Sequence, residues 1–376
     1  MVTICDLESP PPPLDAAEML QQCIDNAPPS AAVEIPRGYF LLHRQVVIRR
    51  PITIRTVGSA DGSITCSSGP DGCANLVASP GMLDDYGVLL MLSTADVMLE
   101  HIVLDGNRKA RLSSRASVAC RTGRNTAGFT AGAVGCLRCV LRDVVATGAL
   151  CGTGMFWAGA QATIERSDFR DNGDHGTRMW ADGLTAVYAP DSQIRENRFF
   201  ENSDIGLILG YGVRSVVADN HVRQRVQAAF AGLMLDNFNS DDLSTRGDFT
   251  DLEVTDNTID CRPLKCLFGI QVGPRPWYPT RNIMGGRIWN NEIHGAKIGI
   301  NVDGAGIPGA PVRIFSNRVT DLPQPSYFAS CGTAVRPVWM NVAPTAVVDR
   351  GDEATPTAAR LTDGCEFFSP LSPVDQ

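Results

Sequence analysis

At 376 residues the chain is long enough for two ordinary domains or one large repeat domain, and at 44% hydrophobic it can bury a sizeable core. A net charge of -8 argues against general affinity for nucleic acid or an anionic membrane. No stretch approaches the roughly 20 apolar residues of a membrane span.

The first predicted element follows a stiff run, Pro10 to Pro13. Asp15 caps a short helix in which Ala16, Ala17, Met19, Leu20, Cys23 and Ile24 recur at helical spacing, and Pro28-Pro29 ends it. Strand text follows at Val33 to Phe40, Val46-Val47-Ile48 and Ile52 to Thr56. A helix ahead of short strands suits a solenoid, whose open end would otherwise expose apolar core.

The repeats come next. Asn197, Asn220, Asn257, Asn291 and Asn317 each stand two positions before an apolar residue (Phe199, Val222, Ile259, Ile293, Val319), with Ser167 ahead of Phe169 as an imperfect copy. Each pairs with an upstream Gly-apolar strand beginning at Gly154, Gly183, Gly206, Gly232, Gly269 or Gly299. Such a period is the signature of stacked coils. Two structural roles suit these Asn residues: a left-handed corner, and amide bonds from coil to coil.

The Gly-to-Asn separations run 13, 14, 14, 25, 22 and 18. The last three therefore carry insertions, around 237–248, 274–279 and 304–311, which leave the same strand on one side. On its other side the longest loop contains Asp171 to Trp180. Function in repeat folds concentrates where the repeat is broken. Beyond about Thr320 the coil text fades into a tail. The expected organisation is a capping helix within 1–30, a β-helix over 31–320 and a C-terminal tail over 321–376 that packs on it.

Two segments carry a family resemblance. Val33-Glu-Ile35-Pro36-Arg-Gly38-Tyr39-Phe40, and Asp96 to Leu104 followed by Asp105-Gly106-Asn107, resemble early coils of right-handed parallel β-helix proteins, the pectate-lyase-like superfamily. With the repeats, the resemblance covers roughly 14–320. It implies an all-β right-handed parallel β-helix with a polymer-binding groove. It does not imply one activity, because the superfamily holds lyases, hydrolases, epimerases, esterases and non-enzymes. Its hydrolases carry N-T-D, D-D and G-H-G motifs in that order; here Asp174-His175-Gly176 is a fragment and Asp241-Asp242 comes after it.

The 12 cysteines point to disulfides and an oxidising compartment, hence a secreted, periplasmic or cell-surface protein. Plausible pairs are Cys5–Cys23, Cys66–Cys73, Cys136–Cys139, Cys261–Cys266 and Cys331–Cys365, leaving Cys120–Cys151, although spacing alone does not fix connectivity. The one CxxC, Cys136 to Cys139, lacks the second pair or His that a zinc site needs, which favours a disulfide. No signal peptide is legible at Met1-Val-Thr-Ile-Cys5, so export implies a leader already removed.

The candidate catalytic residues are His175, Arg178, Asp182, Asp204 and Asp236. Asp182 and Asp204 precede the glycines of neighbouring strands about 4.8 Å apart, a spacing at which two carboxyls divide into acid and base. An Asp at such a position serves equally well as a turn residue. Trp180, Tyr211, Arg275, Trp277 and Tyr278 are the expected sugar contacts. Asp236, Asp241 and Asp242 are a weak candidate for Ca²⁺; the sequence requires no cofactor. The first expectation is a lyase on a uronate polysaccharide, with His175 or Arg178 as base. The alternatives are a glycoside hydrolase or transglycosidase using Asp182 and Asp204, and a non-catalytic glycan-binding surface protein using Trp157, Trp180 and Trp277.

Overall fold

The computed structural model describes residues 2–7, 15–59, 65–66, 72–237, 247–273, 283–303, 312–321, 338–340 and 347–349. The chain divides into two units, Met1–Thr185 and Ala186–Gln376. In each, short parallel strands stack into three ladders.

The first unit opens with the expected helix, α1, over Ala16–Asn26. Its cap is a reciprocal box: the Asp15 carboxylate accepts from Glu18 N at 2.8 Å, and Glu18 Oε2 accepts from Asp15 N at 3.3 Å. Ala17, Leu20 and Ile24 are buried. Ladder one contains Val46–Ile48, Leu89–Ala95, Ala131–Leu137 and Gly152–Ala158. Ladders two and three share the strands Met98–Asp105 and Val140–Thr147. Each of these bends at a residue with left-handed backbone, His101 (φ 50) and Asp143 (φ 49). The two corner side chains meet, with His101 Nδ1 2.8 Å from Asp143 Oδ2, and that carboxylate also accepts from Cys66 N at 2.8 Å. Alternating charges tie consecutive coils of ladder two: Arg55 pairs with Glu34 (2.9 Å) and Glu100 (3.2 Å), and Arg142 with Glu165 (2.7 Å).

In the second unit ladder one runs through Ile205–Leu209, Ala229–Leu235, Cys266–Val272, Ile298–Asp303 and Val338–Met340. Ladder two begins at Gln193–Arg195 and ladder three at Arg198–Phe200, and between them lies the Asn corner. The Asn side chains form a continuous column. Nδ2 donates to the next Oδ1 from Asn197 to Asn220 (3.0 Å), Asn220 to Asn257 (2.9 Å), Asn257 to Asn291 (2.9 Å) and Asn291 to Asn317 (2.9 Å). The same oxygens accept the backbone N–H of the preceding Asn.

One expected role of the Asn residues is displaced by one position. The left-handed residues are Glu196, Asp219, Asp256, Asn290 and Ser316, each immediately before a ladder Asn. The reason is division of labour. The corner residue turns the backbone, and the next residue, with ordinary φ, aims its amide along the stack.

The paired glycines also find their explanation here. A Cβ at Gly232 would lie 2.5 Å from Ile259 Cγ2, one at Gly269 2.4 Å from Ile293 Cγ2, and one at Gly299 2.5 Å from Val319 Cγ1. The strand entrance therefore closes directly on the branched residue two places after the Asn of the same coil. The two sequence motifs are the two halves of one contact.

Five of the expected disulfides form: Cys5–Cys23, Cys66–Cys73, Cys120–Cys151, Cys136–Cys139 and Cys261–Cys266. Cys331 and Cys365 lie outside the described residues.

Candidate active site

The loop singled out between Asp171 and Trp180 belongs to the first unit and is fixed at several points. Asp174 and Met179 bridge each other, Gly173 N donates to Ala149 O at 3.0 Å, and Arg108 Nη1 donates to Asp171 O at 2.6 Å and also to Gly173 O. Asp174 caps a single 3-10 turn, His175–Thr177, by accepting from Gly176 N, and Arg178 ends it at φ 56. The His175 ring meets Trp180 edge to face at 4.0 Å. Both are half-buried, whereas the Arg178 side chain is exposed.

Support for this loop comes from a helical insertion that the sequence did not reveal. Helices α2 (Arg108–Arg111) and α3 (Arg115–Arg121) and a 3-10 turn at Asn125–Gly128 interrupt the coil after Asp105. Ala116 packs with Leu150, Cys151 and Met179, and the Cys120–Cys151 disulfide crosses beside them. Arg111 is fully buried and donates to the carbonyls of Gly106 (3.1 Å), Met82 (3.2 Å) and Ala127 (2.7 Å). Burial lowers its pKa to about 10, which leaves it charged at neutral pH. The signal was missed because this Arg-rich segment has little apolar periodicity. The two features that could have marked it are Ser114 at a cap position and the long gap between Asp105 and the next strand text.

Asp182 also lies in the first unit. It is buried, and its Oδ2 accepts from Thr185 Oγ1 at 2.7 Å. Trp157 is not a glycan contact: it is fully buried, and its Nε1 donates to Gly159 O at 3.0 Å.

In the second unit Asp204 stands at the entrance of ladder one, where its carbonyl accepts from Phe230 N at 2.7 Å. The residue keeps some exposed surface, yet its carboxyl sits deep enough among protein atoms that burial pushes its pKa up to about 7. The register pairs Ile205 with Ala231 and Leu209 with Leu235. Asp204 therefore lies level with Phe230, six positions from Asp236, or on the order of 20 Å at ~3.3 Å per residue. Asp236 is buried at the far edge of the ladder, where its Oδ1 accepts from Asn237 N at 2.6 Å. These two carboxyls do not form one catalytic group.

Tyr211 stands at that far edge too, stacked on Tyr188 with ring centroids 5.1 Å apart and planes 2° from parallel. Arg223 and Arg225 sit on or beside ladder three. Arg223 lies 4.5 Å from the Phe200 ring centre, and Arg225 pairs with Asp260 at 3.2 Å. Asp241, Asp242, Arg275, Trp277 and Tyr278 lie outside the described residues. Among the described residues no cluster of three His, Cys, Asp or Glu has metal-binding geometry.

The family described as a right-handed β-helix region matches residues 132–298. The chain has the fold of a right-handed parallel β-helix. This β-helix resembles a polygalacturonase from Erwinia carotovora at TM-score 0.61 and 12% identity, over 92% of this chain and 96% of that one. It resembles the A-module of a mannuronan C-5 epimerase from Azotobacter vinelandii at 0.56 and 12%, over 90% and 89%. A family 28 exopolygalacturonase from Yersinia enterocolitica follows at 0.54 and 12%, over 95% and 77%. At such identities the likeness is one of fold. No curated protein sequence matches the chain.

Proposed function

We propose that this β-helix is a secreted enzyme that cleaves glycosidic bonds in an extended polysaccharide, with Asp204 as the proton donor. The observation that carries this reading is the Asp204 carboxyl, pushed up to about 7 by burial at a strand entrance of ladder one. A carboxyl still protonated near neutrality is suited to protonate the leaving oxygen of a glycosidic bond. The Cys-rich, disulfide-bonded chain supports secretion. The structural neighbours named polygalacturonase and epimerase make a polysaccharide the natural substrate class to test.

Asp204 can protonate the departing sugar oxygen in hydrolysis, which needs no base to remove a carbon-bound proton. The elimination that the sequence ranks first is supported by His175, an imidazole held against Trp180 in a braced loop and chemically suited to remove a proton beside a carboxylate. Arg178 is the weaker base candidate, since a guanidinium is ordinarily protonated. A polysaccharide panel read by product mass spectrometry separates the readings. Products carrying one added water per cut mean hydrolysis. Products lighter by one water, with the ultraviolet band of an unsaturated uronate, mean elimination. If no polymer in the panel changes while glycan binding persists, the protein is a binding module and the enzyme reading fails.

A further inference from the structure

We propose that the far edge of ladder one in the second unit is a subsite for uncharged sugar residues, built on Tyr188 and Tyr211. The proposal rests on the polysaccharide reading above and narrows its substrate class.

The register makes a flat band from consecutive coils. Ala189 N donates to Tyr211 O (2.9 Å) and Gly212 N to Asp248 O (3.3 Å), which stacks Tyr188, Tyr211 and Asp248 in one column. Asp191 N donates to Val213 O (2.8 Å) and Arg214 N to Thr250 O (2.9 Å), which stacks Asp191, Arg214 and Asp251 beside it. Tyr188 is 41% exposed. A fold has little use for two large aromatic rings at a solvated corner, whereas sugar recognition uses an apolar surface with a polar rim.

Charge selects the occupant. Arg214 is the one cation among the described residues of this band, and its guanidinium is committed to Asp191 through two bonds of 2.7 and 2.8 Å. Asp248 bonds Thr250 N and Oγ1 at 2.8 and 2.7 Å, and these bonds leave its negative charge uncompensated. Asp251 adds another carboxylate close enough to act on Arg214. Among the described residues of the band the balance is three carboxylates against one guanidinium. The Tyr211 phenol already registers this surplus: its pKa is raised, first by burial and next by Asp248. A polyuronate would bring one more carboxylate per residue into that field, well inside the ~10 Å screening length of dilute salt. A neutral sugar meets no such opposition.

The test is binding of the full chain to defined hexasaccharides, with β-1,4-linked glucose, mannose and xylose as neutral probes and oligogalacturonate as the anionic one, measured by calorimetry. The expected result is binding of at least one neutral hexamer. Tyr188→Ala and Tyr211→Ala should each weaken it about 10-fold while Tyr211→Phe, which keeps the stack, holds most of the affinity. Oligogalacturonate should bind at least 10-fold more weakly than the best neutral hexamer. The proposal is overturned if no neutral hexamer binds, if oligogalacturonate binds tighter, or if folded Tyr→Ala variants bind the neutral hexamer as the parent does. Turnover by Asp204→Asn is a separate readout. A fully active Asp204→Asn with weakened Tyr variants removes the catalytic reading and leaves the subsite. A dead Asp204→Asn with unaffected Tyr variants removes the subsite alone.

Discussion

Replacing Asn257 with Ala should be one of the most destabilising single changes in the second unit. Its Nδ2 donates to Val217 O, Thr255 O and Asn291 Oδ1, each at 2.9 Å. Its Oδ1 accepts Asn220 N at 3.0 Å and Asn220 Nδ2 at 2.9 Å. Asn220 Nδ2 keeps Ile194 O as a partner, but Asn220 N loses this bond at a site 1% exposed. Stranding a buried N–H costs about 1–3 kcal/mol, and each remaining net bond about 1 kcal/mol, partly recovered by relaxation. The total comes to about 3–5 kcal/mol. The internal control is Asn317→Ala, which cuts a similar set of bonds at a half-buried site where water can substitute, for about 1–2 kcal/mol. Urea titration followed by circular dichroism reads both variants. Equal losses, or a loss below about 1 kcal/mol at Asn257, would refute the view that the ladder is a buried, water-excluding network.

Further outcomes follow from the same structure. Asp204→Asn should lower turnover about 10²–10⁴-fold with little change in fold, measured on whichever polymer the panel identifies. The parent's activity should fall as pH rises through about 7, where Asp204 releases its proton. The stability effect has a defined sign. The pKa is raised on folding, so between about pH 4 and 7 the folded protein holds a proton the unfolded chain has lost. Stability should therefore decline with rising pH across that window, and Asp204→Asn should flatten the decline in melting temperature. Replacing Cys120 and Cys151 together with Ser should cost about 3.5–4 kcal/mol for a 31-residue separation, and limited proteolysis should show the Asp171–Trp180 loop opening first. Gly232→Val should cost about 3 kcal/mol or more, because its added carbons meet Ile259 and the Gly269 carbonyl; a melting temperature unchanged from the parent would show that the strand entrance yields.

Legibility differed between scaffold and site for physical reasons. The Asn and Gly positions could be read because each coil repeats the same two demands: an amide that bridges to the next coil, and a missing Cβ that admits Ile259, Ile293 or Val319. Repetition turns a local rule into a pattern. The left-handed corners escaped notice because that position accepts Glu196, Asp219, Asp256, Asn290 and Ser316 alike. The helical insertion after Asp105 has no copy elsewhere to be measured against, and Arg111 is held there by three carbonyls, which no sequence period announces.

The same distinction explains why Asp204 and Asp236 were grouped in the sequence and separate in the fold. Counting from the glycines shows which strand a carboxyl belongs to, but a strand has two ends. Asp204 precedes Gly206 and Asp236 follows Gly232, so both flank ladder one at opposite edges. The placement gives each carboxyl a different environment. Asp204 is raised by burial where the chain enters the ladder, while Asp236 takes a backbone N–H where the chain leaves it. A polymer crossing the ladder would meet the Asp204 carboxyl at one edge and the Tyr188–Tyr211 surface near the other. That separation, on the order of 20 Å along the strand direction, favours a long substrate over a disaccharide. On this arrangement, shortening the substrate should reduce its binding before it reduces the chemical step.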